Sequence, residues 1–228
     1  MKLQSFDFDK IPLLEGLDPI VMKALLVHFH VRTYAKNESV VQKGLASAEL
    51  YFLISGRLKV VDFIQSGREI GFVFIKPGMH FGELALIDGR PRSASIIATE
   101  SSIVIVLPKK QAQQLIFNVP HVSKKLLLQL TDTIRKNNDH IMLLGSGSAY
   151  CRIYKLLLQQ IEQIEHIEGE VIIEHLLTQH EMAMMTNTTR ETVSRAISQL
   201  QDMGVIRKEG RNLIVQKVDA LKHLSIDV

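Results

Sequence analysis

A single cysteine, Cys151, stands in 228 residues. No internal disulfide can form, and a cysteine-held metal cluster is argued against, which suits a reducing cytoplasm. No apolar run reaches the ~18–20 residues that a bilayer-spanning helix needs. The first ten residues, Met1 to Lys10, alternate polar and apolar without the apolar block of a signal peptide. A cytoplasmic protein without membrane association is therefore expected. Net charge is also small: 27 Lys and Arg against 24 Asp and Glu leave +3, which does not announce a nucleic-acid binder. From Tyr150 onward the balance is slightly acidic, nine basic residues against eleven acidic. The chain lacks internal repeats and low-complexity tracts. It also lacks a P-loop, a catalytic triad and a paired-carboxylate motif in structural context, so no enzyme is expected. The nine histidines are scattered. His28-x-His30 would make a poor metal site and is expected at a helix-to-strand junction; no metal is expected.

What is present is a large apolar fraction, 46%, in a chain long enough for one large domain or two ordinary ones. Asp18-Pro19 opens a short helix to about residue 28, with Asp as N-cap and Pro at the first helical position. From residue 30 to Pro108 the texture changes to short β-rich runs at 49–54, 58–63, 69–75, 93–98 and 103–107. Gly44, Ser55-Gly56, Gly67, Pro77-Gly78 and Gly89 punctuate them. Many short strands at close spacing predict a β-sandwich or barrel. A helical stretch begins at Pro108 and is interrupted by Pro120. Beyond it one long helix runs to about residue 144. Leu127, Leu130, Ile134, Asn137, Ile141 and Leu144 recur at alternating steps of three and four, a heptad seam that predicts a homodimer. A helix packed on its own domain is the alternative. Gly145-Ser146-Gly147-Ser148 reads as a hinge or linker. The domains are therefore expected at 1–145 and 146–228. The second holds a helix over 149–165, a short strand over 171–174, two close helices and a hairpin.

Those two close helices carry the first dense motif. Thr178 with Glu181, and Thr188 with Glu191, each fit a T-x-x-E capping box. Two helix starts ten residues apart leave room for a short helix, a tight turn and a second helix, as in a helix-turn-helix. Ala183 is small where the helices cross, and Asn187 tolerates the left-handed turn. Val193, Ile197 and Leu200 give the second helix an apolar face. Thr189, Arg190, Glu191, Ser194 and Arg195 lie elsewhere on it, of types suited to major-groove readout. Thr178 and Gln179 at the first helix's start complete the DNA-facing set. Residues 205–208 and 212–215 flank Glu209-Gly210-Arg211, a hairpin that reads as a wing. Arg207, Lys208 and Arg211 would meet phosphates there. From Arg190 to Lys217 six basic residues face three acidic ones, a confined positive patch.

The second dense motif is Phe81-Gly82-Glu83-Leu84-Ala85-Leu86-Ile87-Asp88-Gly89-Arg90-Pro91-Arg92-Ser93-Ala94. Gly82 would let backbone approach a ligand. Glu83 to Leu86 could form one turn whose free N–H groups, including those of Leu84 and Ala85, favour an anion. Arg92 offers a bidentate phosphate partner, Ser93 a hydroxyl, and Glu83 an acceptor for a sugar hydroxyl. The residues alone leave open a β-loop with an internal Glu–Arg pair.

Thr189 to Arg195, read Thr-Arg-Glu-Thr-Val-Ser-Arg, closely resembles the recognition helix of the CRP/FNR family. The second motif resembles the phosphate-binding cassette of cyclic-nucleotide domains. The resemblance spans roughly residues 10 to 218. It implies an α+β fold: an N-terminal antiparallel, jelly-roll-like β-roll, a long dimerisation helix, and a C-terminal winged helix-turn-helix. It implies Arg190, Glu191 and Arg195 on bases, with Ser194 matching a base-contacting serine of the FNR branch. It implies Glu83 on the ribose 2′-hydroxyl, and Arg92, Ser93 and the N–H of Ala85 on a cyclic phosphate. Where the cyclic-AMP receptor proteins contact adenine through adjacent Thr and Ser, this chain has Asn137 and Asn138, which can bond an adenine edge. The oxygen sensors' iron-binding cysteines are absent.

The expected function is a bacterial, cytoplasmic, homodimeric transcription regulator. Cyclic AMP is its allosteric ligand, double-stranded DNA and RNA polymerase are its partners, and its site is an inverted repeat of TGTGA or TTGA type. The alternatives are a same-fold regulator independent of cyclic AMP or responsive to cyclic di-GMP, and a cyclic-nucleotide sensor acting through protein contacts.

Overall fold

The computed structural model describes residues 8–63, 69–145, 147–161, 170–174, 176–210 and 212–226, with backbone only at 63 and 69–72. After a short 3-10 turn at Phe8–Lys10 comes α1 (Pro19–Leu26). Asp18 caps it, Oδ1 accepting from the N–H of Ile20 at 2.7 Å, while Pro19 fills the first position. Eight strands follow: β1 (His30–Tyr34), β2 (Ser39–Val41), β3 (Leu50–Ser55), β4 (Leu58–Phe63), β5 (Glu69–Ile75), β6 (His80–Phe81), β7 (Ser95–Ala98) and β8 (Ser102–Leu107). Between β6 and β7 lies α2 (Leu84–Asp88). His28 and His30 indeed flank the junction between α1 and β1.

The strands form two four-stranded sheets, β1-β8-β3-β6 and β2-β7-β4-β5, paired antiparallel throughout. The apolar runs of β3 and β8 are continuous because both faces of their sheet are covered. Tyr51, Leu53, Val104 and Val106 meet Leu58, Ile96 and Ala98 of the other sheet. Their neighbours Leu50, Phe52, Ile105 and Leu107 meet Leu14, Leu25, Phe29, Leu115 and Val122. The expected β-roll is therefore present. Strands β1, β2 and β6, absent from the sequence-based strands, supply edges and short pairings.

α3 (Lys109–Asn118) buries Ala112, Leu115 and Ile116. α4 (Pro120–Gly145) is the expected long helix. Its first turns bury Val122 and Leu126 in the same core. By packing, the chain divides into two units between Thr133 and Ile134, so the last turns of α4 group with the C-terminal unit. Leu143, 3% exposed, belongs to that unit's core. Ser146 of the expected linker lies outside the described residues.

The second unit contains α5 (Ala149–Ile161), β9 (Val171–Ile173), α6 (Gln179–Met185), α7 (Arg190–Asp202), β10 (Ile206–Glu209), β11 (Asn212–Val215) and α8 (Val218–Leu224). The three strands pair antiparallel in the order β10-β11-β9. Ile153, Leu157, Met182, Val193, Leu200, Ile206 and Leu213 close one core among helices and sheet. Among the described residues no helix is long and apolar enough to cross a membrane.

Candidate functional site

The motif around Arg92 folds as β6, the short helix α2, a turn and β7. Glu83 is the residue before α2 and Gly89 closes it at φ 70°. Among the described residues Arg92 is the only buried arginine, 4% exposed. Its guanidinium makes three hydrogen bonds: Nε donates to Ser47 Oγ at 2.8 Å, Nη1 to the Gly82 carbonyl at 2.8 Å, and Nη2 to the Glu49 carbonyl at 2.9 Å. All three acceptors are neutral. The Tyr51 ring lies 5.3 Å from the guanidinium carbon and stacks on Phe81 with ring centroids 4.9 Å apart. The backbone fixes the same residue: Gly44 N–H donates to the Arg92 carbonyl at 2.9 Å, and Arg92 N–H to the Leu45 carbonyl at 3.1 Å.

Three features of this site add to the sequence reading, the first bearing on its alternative of an internal Glu–Arg pair. The internal Glu83–Arg92 pair does not form, since the guanidinium goes to neutral oxygens instead. Gly82, at φ 90°, is required by a different neighbour: a Cβ there would stand 2.6 Å from Arg92 Nη1 and 2.8 Å from the Glu49 carbonyl oxygen. Its close approach is to Arg92. Sequence reasoning also missed Ser47, Glu49 and Tyr51, more than thirty residues from Arg92 in the chain. The connection from β2 to β3 brings in Ser47 and Glu49, and β3 itself brings in Tyr51. The Glu49 carboxylate accepts from Tyr51 Oη and from Arg32 Nη2, the latter at 3.1 Å. Burial pushes the Tyr51 phenol up to about 12, helped by that carboxylate.

Glu83 is half-buried. Burial raises its carboxyl above the ordinary range, against the opposing pull of its own backbone N–H and of the Arg92 charge. Leu84 is exposed and Ala85 buried on α2, while Ser93 is exposed beside Arg92. Asn137 and Asn138 are exposed on α4, in the second unit. A shallow hollow of about 430 Å³ runs along α3, lined by Lys109, Lys110, Gln113 and Phe117 among others, and none of the cassette residues line it.

In the second unit α6 and α7 form the expected helix-turn-helix. Thr178 caps α6 with the full box: Glu181 N–H donates to Thr178 Oγ1 at 3.2 Å, and Thr178 N–H to Glu181 Oε2 at 2.7 Å. Asn187 takes φ 47°, the left-handed turn. The second capping box does not form. The α7 cap is Thr189, whose Oγ1 accepts from Thr192 N–H at 3.2 Å. Thr188 N–H goes instead to the Ala183 carbonyl, continuing the turn. The start therefore shifts by one residue, and Glu191 falls in the first turn. Its own backbone N–H and the Thr189 hydroxyl lower its carboxyl pKa. Thr189, Arg190, Glu191 and Arg195 are exposed, and Gln179 and Ser194 half-buried. Val193, Ala196, Ile197 and Leu200 are buried on the other face.

The β10–β11 hairpin turns through Gly210 at φ 60°. Lys208 is exposed, and Arg211 lies outside the described residues. Arg207 is held by two carboxylates: Nη1 bonds Glu209, and Nη2 stands 3.4 Å from Glu170 Oε2.

Comparison with known proteins meets this geometry at both places. Residues 31–118 match the family model for a cyclic nucleotide-binding domain, and residues 151–224 that for a Crp-like helix-turn-helix domain. A CRP-like cAMP-activated global transcriptional regulator of Mycobacterium tuberculosis is 27% identical over 208 residues, 91% of this chain and 93% of its own. A cyclic AMP receptor protein of Thermus thermophilus is 29% identical over 214 residues, 94% of this chain and 96% of its own. Among solved structures, the c-di-GMP responsive regulator CLP of Xanthomonas campestris shares the fold, with a TM-score of 0.69 at 20% identity over 87% of this chain and 99% of its own. A nucleotide-binding roll, a long helix and a Crp-like helix-turn-helix, in that order and across nearly the whole chain, are the family's architecture: the chain belongs to the CRP/FNR family of transcription regulators.

Proposed function

We propose that the protein is a homodimeric, DNA-binding transcription regulator whose allosteric ligand is cyclic AMP. One observation carries the ligand reading. Arg92 is a buried cation whose three bonds all go to neutral oxygens. Burying a charge with no carboxylate in hydrogen-bond contact is unfavourable, and an arriving anion relieves it. A guanidinium has five N–H groups. Three are engaged, and one remains on each Nη, enough for a bidentate phosphate contact without breaking the existing bonds. The Leu84 and Ala85 N–H groups and the Ser93 hydroxyl complete the phosphate side. Glu83 would repel a phosphate placed close to it, so it takes the ribose 2′-hydroxyl. That division favours a mononucleotide, since a dinucleotide brings a second phosphate toward Glu83. The family resemblance assigns the adenine edge to Asn137 and Asn138.

The dimer reading rests on α4. Leu127, Ile134 and Ile141, seven residues apart, are 65%, 60% and 65% exposed. Such a stripe needs a partner helix. Two copies of α7 then present Arg190, Glu191, Ser194 and Arg195 to half-sites about one DNA turn apart, with Lys208 and Arg211 of the wing and Thr178 and Gln179 on backbone. RNA polymerase is the further partner that the family resemblance implies.

Calorimetric titration of the full chain with cyclic AMP, cyclic GMP and cyclic di-GMP tests the ligand. Cyclic AMP binding tightest supports the proposal, and Arg92→Ala should abolish it. Tighter binding of cyclic di-GMP transfers the site to the dinucleotide. A regulator independent of small ligands is the second reading. The same three bonds favour it, because they let Arg92 serve the fold alone, and no binding at millimolar nucleotide would establish it.

A further inference from the structure

The wing carries a cation that is already taken. β10 alternates, with Ile206 in the core and Arg207 and Glu209 on the opposite face of the strand. Register sets Arg207 against Ile214 of β11, and Ile214 against Ile172 of β9. Its stem thus lies in a row across the outer face of the sheet, and its head reaches carboxylates on two strands' margins. Glu209 is its neighbour two residues on. Glu170, just before β9, is oriented by Gln216, whose Nε2 donates to Glu170 Oε1 at 2.9 Å. Two acids therefore surround one guanidinium, and the cluster carries a net negative charge. Lys208, next along β10, has no ion pair among the described residues. Arg207 differs from it by chemistry, as both are exposed.

We infer that Glu170 and Glu209 form an electrostatic brake on the wing: they occupy Arg207 in place of DNA phosphate and so weaken sequence-independent DNA affinity. The inference rests on the DNA-binding reading above. Each pair is half-exposed, hence weak and exchangeable. A phosphate can displace the carboxylates only by first meeting their repulsion. The brake acts on the backbone component of binding and leaves base readout by α7 untouched. It suits a unit whose overall charge is slightly acidic, where each available cation weighs heavily.

The test replaces both acids by isosteric amides, Glu170→Gln with Glu209→Gln. DNA affinity is followed by fluorescence anisotropy over a salt series, on a random-sequence duplex and on an inverted-repeat duplex. Release of one phosphate contact per protomer, two per dimer, should steepen the log–log salt slope by about two, an extra factor of about 12 between roughly 50 and 200 mM salt. Affinity should rise at low salt on both duplexes, with base preferences unchanged. Adding Arg207→Gln should return slope and affinity to the wild-type values or below. Unchanged binding in the double variant overturns the brake. So does a gain that survives Arg207→Gln, because removal of negative charge alone would then explain it. Wild-type protein that binds neither duplex refutes the DNA-binding reading itself, and the brake with it.

Discussion

His80 sets a pH limit on the first unit. It lies on β6 opposite Phe52 of β3, 6% exposed, in an aromatic group where Phe52 meets Phe29 edge-on at 5.9 Å and Phe29 stacks on Phe8 at 5.5 Å. Its Nε2 is buried with no hydrogen-bond partner among the described residues. Burial pulls the imidazole from 6.5 down to about 4. The unfolded chain therefore binds a proton that the folded chain refuses between those values, and stability falls as pH drops from 6.5 toward 4. At about 1.36 kcal/mol per pH unit the full penalty approaches ~3 kcal/mol, of which about 2 kcal/mol is present at pH ~5. Above pH 6.5 only the unpaired nitrogen remains, worth about 1–3 kcal/mol. His80→Phe keeps the ring and removes both effects. Urea unfolding of wild type and variant, followed by circular dichroism at pH ~8 and ~5, should show the variant more stable at both. Its advantage should be larger by about 2 kcal/mol at the lower pH. An advantage independent of pH, or a variant less stable than wild type, refutes the assignment of a neutral, unpaired His80.

Gly82→Ala should destabilise the roll by more than ~1 kcal/mol and abolish nucleotide binding, since the new methyl meets Arg92 and Glu49 at a positive φ; thermal unfolding and calorimetry read the two effects. Glu83→Gln should stabilise the free protein at neutral pH while weakening the ligand. The raised carboxyl favours folding fully below its unfolded value and loses that contribution as pH rises through the folded one, so the amide's advantage should vanish below pH ~4. Ile134→Glu places a charge in the α4 stripe and should yield monomers in sedimentation; a variant that remains dimeric would move the interface elsewhere.

The elements with strong local signals were legible in the sequence. Asp18-Pro19, the Thr178–Glu181 box and the left-handed Asn187 each act over four residues or fewer, and the structure has all three. The second box went astray because Thr188 and Thr189 are equally good caps in isolation. The turn settles it by using the Thr188 N–H for the Ala183 carbonyl. β1, β2 and β6 are short or lack a clear apolar alternation, so only their partners define them. At the cassette, Gly82, Glu83 and Arg92 were visible as a motif, but not what holds the arginine. Ser47 and Glu49 arrive on the β2–β3 connection and Tyr51 on β3, some forty residues away in the chain, which no local pattern encodes. Likewise, the wing's basic residues look alike in sequence. Only the register of β9, β10 and β11 reveals that Arg207 is shared between two acids.

Ligand-gated DNA binding is tested most directly by one anisotropy titration. The full chain is added to a labelled inverted-repeat TGTGA duplex at fixed salt, with and without saturating cyclic AMP. Coupling between two sites of this kind is typically about 5- to 150-fold. Cyclic AMP should tighten binding within that range. Identical affinity in the two arms would contradict ligand gating and leave a family member that binds DNA regardless of the nucleotide.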